Sequence, residues 1–509
     1  MARTRLFGAM RRALGARPGA ISGPRALSRR RFLAMSAALA ACTPAKPPGA
    51  GAGPQGIGVI GAGAAGLTIA YRLARAGKAV TLYEASDRVG GRMFTRRDFN
   101  EDHQFCELGG ELVDTNHAAL QRLARELDVG IDRLEAPGAG EDLYHIGRRL
   151  YAQHDMADAH GRGAFSAIAR RIGADQAALL ENDEWSARAR ALDQTSVADY
   201  LAELAKDADD WVITLLDIAY AGEYGLPTQA QSALNLIDMI GAAPDAPFAI
   251  YGESDEAFRI RGGSSSLTDA LAARLGASVT RAMKHALVAI EPAEDGVKLL
   301  FDGPDGRIAA THEAAALALP FTKLRTVAGL DTLALSDAKL KAIRELGYGD
   351  NSKLIVSTKA RPWNDPARAF PAPSNGVFYS DHGFQLVWDT SRGQPGQRGV
   401  LTNYLTDQPD QTRAFQALGA GLEALSPAIA ESLDLSKRAW MAWARQPWTL
   451  GSFASAKVGQ YTTLLEETAT PALGGRVQFA GEHTSVDFLG YMNGAIESGE
   501  RAAAALLAR

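Results

Sequence analysis

Acidic residues are missing from the start of this 509-residue chain; the first is Glu84. Residues 1–41 instead carry nine arginines (Arg3, Arg5, Arg11, Arg12, Arg17, Arg25, Arg29, Arg30 and Arg31) and no lysine. Taking those nine charges from the formal net charge of −4 leaves −13 for residues 42–509. A body that acidic argues against a nucleic-acid partner. Cysteine is also scarce. Two thiols, Cys42 and Cys106, cannot staple a chain of this size, so a packed core must hold it. No Cys and His spacing of metal-ligand type occurs, and no metal is expected. Hydrophobic residues at 46% and charged residues at 22% exclude a wholly disordered chain, a collagen and a polytopic membrane protein. No internal repeat is evident.

The basic N-terminus reads as an address. Ser28-Arg29-Arg30-Arg31-Phe32-Leu33 matches the twin-arginine export pattern. The mostly apolar stretch Phe32–Ala41 behind it is about half the roughly 20 residues that a membrane-crossing helix needs, but it suits a signal segment. Leu39-Ala40-Ala41-Cys42 resembles a bacterial lipobox, with cleavage before Cys42 and lipid on its thiol. An Arg-rich tail or an organelle transit peptide is the blander reading. The expectation is a twin-arginine signal peptide over 1–41, read by the twin-arginine translocase, and a periplasmic protein with Cys42 as a candidate lipid anchor. Residues 42–55, rich in Pro, Gly and Ala, read as a linker.

The body opens on a nucleotide-binding pattern. Ile57–Ile60 is strand-like, Gly61-Ala62-Gly63-Ala64-Ala65-Gly66 follows, and Leu67, Ala70, Tyr71 and Leu73 carry helical spacing. A second strand, Ala79–Tyr83, ends at Glu84. This is the strand–turn–helix–strand context of a dinucleotide fold. Gly61 permits the tight turn, Gly63 lets the backbone approach a pyrophosphate, and Gly66 lets helix and strand pack closely. Ala65 lies in the same turn, at the helix N-terminus that faces the phosphates. Glu84 stands where a carboxylate accepts from ribose hydroxyls. The pattern alone does not separate NAD from FAD.

Glu84-Ala85-Ser86-Asp87-Arg88-Val89-Gly90-Gly91-Arg92, Glu107-Leu108-Gly109-Gly110, and the C-terminal Gly481-Glu482-His483-Thr484 and Gly490-Tyr491-Met492-Asn493-Gly494 resemble the signatures of the flavin-dependent amine oxidase family. That resemblance implies FAD. Gly91 and Arg92 then wrap its diphosphate, and Gly109, Gly110 and Glu111 lie against the flavin ring. Gly481 and Glu482 touch the FAD chain, and the backbone at Met492 meets the pyrimidine end of the flavin. Arg261-Gly262-Gly263 through Leu267 resembles the family's return to the FAD domain, after which Leu287 falls on a strand that meets adenine. His483 reads as a satisfied loop histidine and not as a base.

Further matches point to the chemistry. Lys353, in the strand-like Asn351–Ser357, occupies the family position of a lysine that holds water against the flavin and assists reoxidation by dioxygen. Trp443 to Phe453 resembles the segment before the substrate face of the flavin. Phe453 and Tyr491 match the two rings of an aromatic cage, with Trp448 as a further wall. In relatives with covalent flavin a cysteine sits where this chain has Ser452, so FAD is expected to be non-covalent. The residues after Gly110 include Glu111 and Asp114 but no arginine for a substrate carboxylate, which favours an amine over an amino acid. Either carboxylate is a candidate for a second ammonium or, equally, for a surface or hydrogen-bonding role.

The implied fold is α/β, a Rossmann-like FAD-binding domain of the two-dinucleotide-binding-domain type, interleaved with an α+β substrate domain. The FAD domain is expected over 56–115, 260–325 and 440–509. The substrate domain is expected over 116–259, largely helical, and 326–439. The implied activity is hydride transfer from an amine to FAD with dioxygen as acceptor. The alternatives are an L-amino acid oxidase, a flavin oxidoreductase using another acceptor, and a non-catalytic FAD-fold lipoprotein.

Overall fold

The computed structural model describes residues 56–509 except 135–139, 159, 244–246, 366–369, 371 and 407–409. The export signal, Cys42 and the linker lie outside the described residues.

Short strands, buried throughout at the centre and partly exposed at the Val279–Met283 edge, build a five-stranded parallel sheet. Its order is Val279–Met283, Val80–Glu84, Ile57–Ile60, Ala314–Leu317 and Val477–Phe479. Strands covered on both faces read as unbroken apolar runs, as Ile57–Ile60 does. The covering helices include Ala64–Arg75, Ser265–Ala273 and Met492–Leu507, and the first and last pack on each other. One sheet thus takes strands from three distant parts of the chain. An antiparallel three-stranded sheet, Ala286–Ala293, Gly296–Gly303 and Gly306–His312, lies between its third and fourth contributions in the sequence.

The second layer is a seven-stranded sheet. Its order is Leu433–Ala442, Asn351–Thr358, Gly399–Thr406, Leu386–Asp389, Ser374–Ser380, Glu141–Ile146 and Arg149–Ala152. Asn351–Thr358 is buried at every position, because strands pair on both of its edges and side chains pack on both of its faces. Helices at 166–177, 187–193, 197–204, 210–224 and 233–237 occupy the middle of the stretch 116–259, which also gives the strands Glu141–Ile146 and Arg149–Ala152 to this sheet and carries a small hairpin, Leu180–Glu181 with Glu184–Trp185. Ser196 caps one of these helices by accepting from the Asp199 N–H at 3.0 Å, and Val197, Tyr200, Leu201 and Leu204 are its buried face. Among the described residues no helix is long and apolar enough to cross a membrane.

Candidate active site

A cavity of about 580 Å³ runs between the two sheets. At one end lies the first turn. Gly61 has φ +102°, and the helix Ala64–Arg75 begins without a side-chain cap or an acid in its first turn. A Cβ on Gly66 would stand 1.8 Å from the Gly61 carbonyl, whereas a Cβ on Gly63 would meet only Gly91 Cα at 4.0 Å. Gly66 therefore serves helix–strand packing and does not line the cavity. Gly63 leaves open space in front of free helix N–H groups, the cradle that a diphosphate requires. Glu84 faces the same space, its carboxylate held by the N–H groups of Ala62 at 2.7 Å and Ser86 at 2.8 Å.

Of the residues expected to hold the cofactor or form the cage, all but Gly66 line this one cavity: Gly61, Gly63, Ala65, Glu84, Gly91, Arg92, Gly109, Gly110, Glu111, Leu287, Lys353, Trp448, Phe453, Gly481, Glu482, Tyr491 and Met492. Two details differ from expectation. The chain itself requires the glycines at 109 and 110, since a Cβ would stand 1.8 Å from the Arg92 carbonyl at the first and 2.8 Å from the Met492 side chain at the second. Trp448 is 41% exposed, with Lys323 over its ring at 5.4 Å, so it forms a rim and not an inner wall.

Arg92 and Glu482 lock the chain's two ends together. The guanidinium donates to Glu482 Oε1 at 2.8 Å and to the Ser452 carbonyl at 2.7 Å, and Glu482 Oε2 accepts from the Gly490 N–H at 2.9 Å. The Phe453 ring packs against Gly490, so that Phe453 and Tyr491 share one wall.

Lys353 is buried and charge-paired. Its ammonium donates to Glu111 Oε2 at 3.0 Å, to the Gly109 carbonyl at 2.9 Å and to the Glu107 carbonyl at 3.3 Å. Trp388 Nε1 and Thr390 Oγ1 donate to the other Glu111 oxygen at 3.1 and 2.9 Å. Burial alone would raise the Glu111 carboxyl; the Lys353 charge and hydrogen bond outweigh it and hold Glu111 below the usual carboxylate range. Glu111 is thus committed within the protein. Asp114, 1% exposed, is committed to Ser254 and the Glu256 N–H. Neither is free for a second ammonium; both take the hydrogen-bonding role that was the alternative.

Among the described residues, the carboxylates left open at this end are two that sequence reading missed. Glu223, near the end of the helix Asp210–Tyr224, and Glu256, in the loop before strand Phe258–Ile260, both line the cavity, together with Tyr251, Tyr379, Trp388 and Tyr404. Glu223 is half-buried, whereas Glu256 lies exposed on the cavity surface with protein on all sides of that cavity. Desolvation by that enclosure pushes Glu223 up to about 7 and Glu256 up to about 8, and the nearby Asp114 carboxylate adds to both shifts. The cations on the cavity wall are engaged elsewhere. Arg88 donates to the Gly91 carbonyl at 2.8 Å, Arg92 pairs with Glu482, Lys323 stands at the rim and Lys353 pairs with Glu111.

Ser452, at the position of a possible covalent link, holds Asn351 Oδ1 at 2.5 Å, and Cys106 is fully buried away from the cavity wall. His483 is buried and off the cavity wall; burial, and then Arg92, hold its imidazole well below its ordinary value, so it stays neutral. Among the described residues no cluster of metal-ligating side chains occurs.

The sequence model of the flavin-containing amine oxidoreductases matches residues 64–507. The chain belongs to the flavin-containing amine oxidoreductase family. As a member it is an FAD-dependent enzyme that oxidises C–N bonds, and its α/β fold is that of the family. The glycine cradle, the uncapped helix and Glu84 are the groups that would hold the FAD nucleotide. Similar proteins include nicotine dehydrogenase of Pseudomonas putida, 27% identical over 87% of this chain and 86% of that protein. (S)-6-Hydroxynicotine oxidase of Paenarthrobacter nicotinovorans is 25% identical over 88% and 98%. An L-amino-acid oxidase of Siganus canaliculatus is 24% identical over 87% and 84%. Among solved structures, putrescine oxidase bound to putrescine superposes with a TM-score of 0.73 at 21% identity, over 90% of this chain and 99% of that one. Cyclohexylamine oxidase from Brevibacterium oxydans gives 0.73 at 20% identity, over 90% and 100%.

Proposed function

We propose that the protein is an amine oxidase whose substrate carries no carboxylate at the reacting carbon and whose electrons pass to dioxygen. The observation that carries this reading is the company kept by Lys353, Phe453 and Tyr491. They face the cavity that holds the glycine cradle, and the remaining charge at their end is acidic. An amino acid would bring its carboxylate toward Glu223 and Glu256, where no arginine or lysine among the described residues stands uncommitted on the wall.

Phe453 and Tyr491 are the rings past which an amine would move through the cavity, attracted while cationic and tolerated when neutral. Glu223 and Glu256 draw the cation in and accept a proton as it sheds one, since their raised values place them near neutrality. FAD held by the glycine cradle, the helix Ala64–Arg75 and Glu84 would supply the two-electron chemistry that couples oxidation of amine to imine with reduction of dioxygen to hydrogen peroxide. Lys353 keeps positive charge beside the Gly109 carbonyl, where charge arises during the dioxygen step. FAD is held non-covalently, so acid precipitation should leave the yellow colour in the supernatant; colour retained in the pellet would refute that part.

Export by the twin-arginine route and lipidation of Cys42 belong to the same proposal, supported by the sequence pattern at Ser28–Leu33 and Leu39–Cys42. Arg29→Lys with Arg30→Lys should retain the protein in the cytoplasm. Unchanged export would remove the assignment.

A further inference from the structure

Asp114 takes no part in the chemistry above, yet it is a buried carboxylate with both oxygens engaged by one cavity loop. Ser254 Oγ donates to Oδ2 at 2.8 Å and the Glu256 N–H donates to Oδ1 at 2.9 Å. The same Ser254 oxygen accepts from the Tyr491 hydroxyl at 3.3 Å. Next in the chain, Thr115 donates from its N–H and hydroxyl to Asp255, at 2.9 and 2.5 Å. Glu256 itself has φ +46°, a left-handed conformation that a glutamate adopts only when held there. Beneath the network, His117 accepts from the Asp114 N–H at Nδ1 and sets its ring edge-on to Tyr491, with centroids 4.9 Å apart.

We propose that Asp114 is a positioning residue that fixes two parts of the substrate site at once: the cage ring Tyr491, through Ser254, and the cavity carboxylate Glu256, through its backbone. Carboxylate geometry suits this task because both oxygens must accept. An asparagine offers one acceptor and one donor, and the donor would face either a hydroxyl that can turn or an N–H that cannot. Ring and carboxylate are therefore coupled through a group that touches neither substrate nor cofactor. The inference rests on the assignment of Tyr491 to the flavin-side cage.

The test is a double-mutant cycle on the FAD-loaded full chain, read by the shift of the flavin absorption band on binding tetramethylammonium. That ion fits a cage but has no C–N bond the enzyme can oxidise through a free lone pair, so the readout does not depend on turnover. Ser254→Ala and Tyr491→Phe should each weaken binding about fivefold, and the pair together no more than either alone. Ser254→Thr should restore wild-type affinity. Asp114→Asn should lose more than Ser254→Ala, and the excess should vanish in a Glu256→Gln background. A double loss equal to the product of the single losses, or a Ser254→Ala variant indistinguishable from wild type, would overturn the proposal. Should Asp114→Asn not fold, the Ser254–Tyr491 cycle decides alone. If no amine reduces the flavin while the cycle still shows coupling, the functional reading fails and the positioning role stands.

Discussion

Lys353 and Glu111 are each nearly enclosed by protein, with side chains 6% and 4% exposed. Removing one partner of such a pair strands the other, at a cost of about 3–5 kcal/mol. Lys353→Met should therefore lower the unfolding free energy by about that amount, and adding Glu111→Gln should recover most of it, as read by denaturant titration. In the double variant, reaction of the reduced enzyme with dioxygen should be slowed more than reduction by substrate in stopped flow. Equal slowing of the two would remove the role given to Lys353. The acidic wall makes a second prediction at this scale. Glu223 and Glu256 are neutral below their raised values of about 7 and about 8 and become anions above them. Affinity for tetramethylammonium, whose charge does not change, should thus rise as pH increases from 6 to 9. Glu223→Gln with Glu256→Gln should flatten the profile; an unchanged profile would show that other groups titrate.

At the scale of the element, the first strand–turn–helix separates a packing glycine from a ligand glycine. Gly66→Ala drives a Cβ into the Gly61 carbonyl and should destabilise even the FAD-free protein, by about 1–3 kcal/mol. Gly63→Ala meets nothing closer than 4.0 Å and should leave the FAD-free melting temperature unchanged while weakening FAD roughly tenfold or more. Thermal melts and flavin titration of both variants would distinguish the two roles. This element was legible because its pattern is local: apolar run, glycines, helical period and acid follow one another. The strand Asn351–Thr358 was legible too, but not the Lys353–Glu111 pair, whose members lie 242 residues apart. Glu223 was hidden for a different reason. Periodicity assigns a lone carboxylate on a helix to the solvated face, whereas this helix turns that face toward an internal cavity. No local pattern marks Glu256, which a loop holds in place through contacts to Asp114.

Across the whole molecule, the site exists only when both ends of the described chain have arrived. The first glycine turn, Arg92, Glu482 and Tyr491 come from segments about 400 residues apart in sequence, and the Arg92–Glu482 pair joins them. Glu482→Ala should cost about 2–3 kcal/mol of stability and also weaken FAD, whereas a surface pair such as Arg307–Asp302 should cost little when broken. Motifs for one cofactor appear in the sequence early, in the middle and late, and the five-stranded sheet draws its strands from the same three stretches. The substrate end was not legible, since it is assembled from the seven-stranded sheet, one helix and one loop, none of which carries a motif of its own. The account as a whole turns on that end being a cage with an acidic wall. The most direct measurement is anaerobic mixing of the FAD-loaded protein with a panel of amines and the corresponding L-amino acids, followed by the flavin absorption band. Bleaching by amines and not by amino acids is the predicted result; bleaching by amino acids while amines leave the band intact would contradict it.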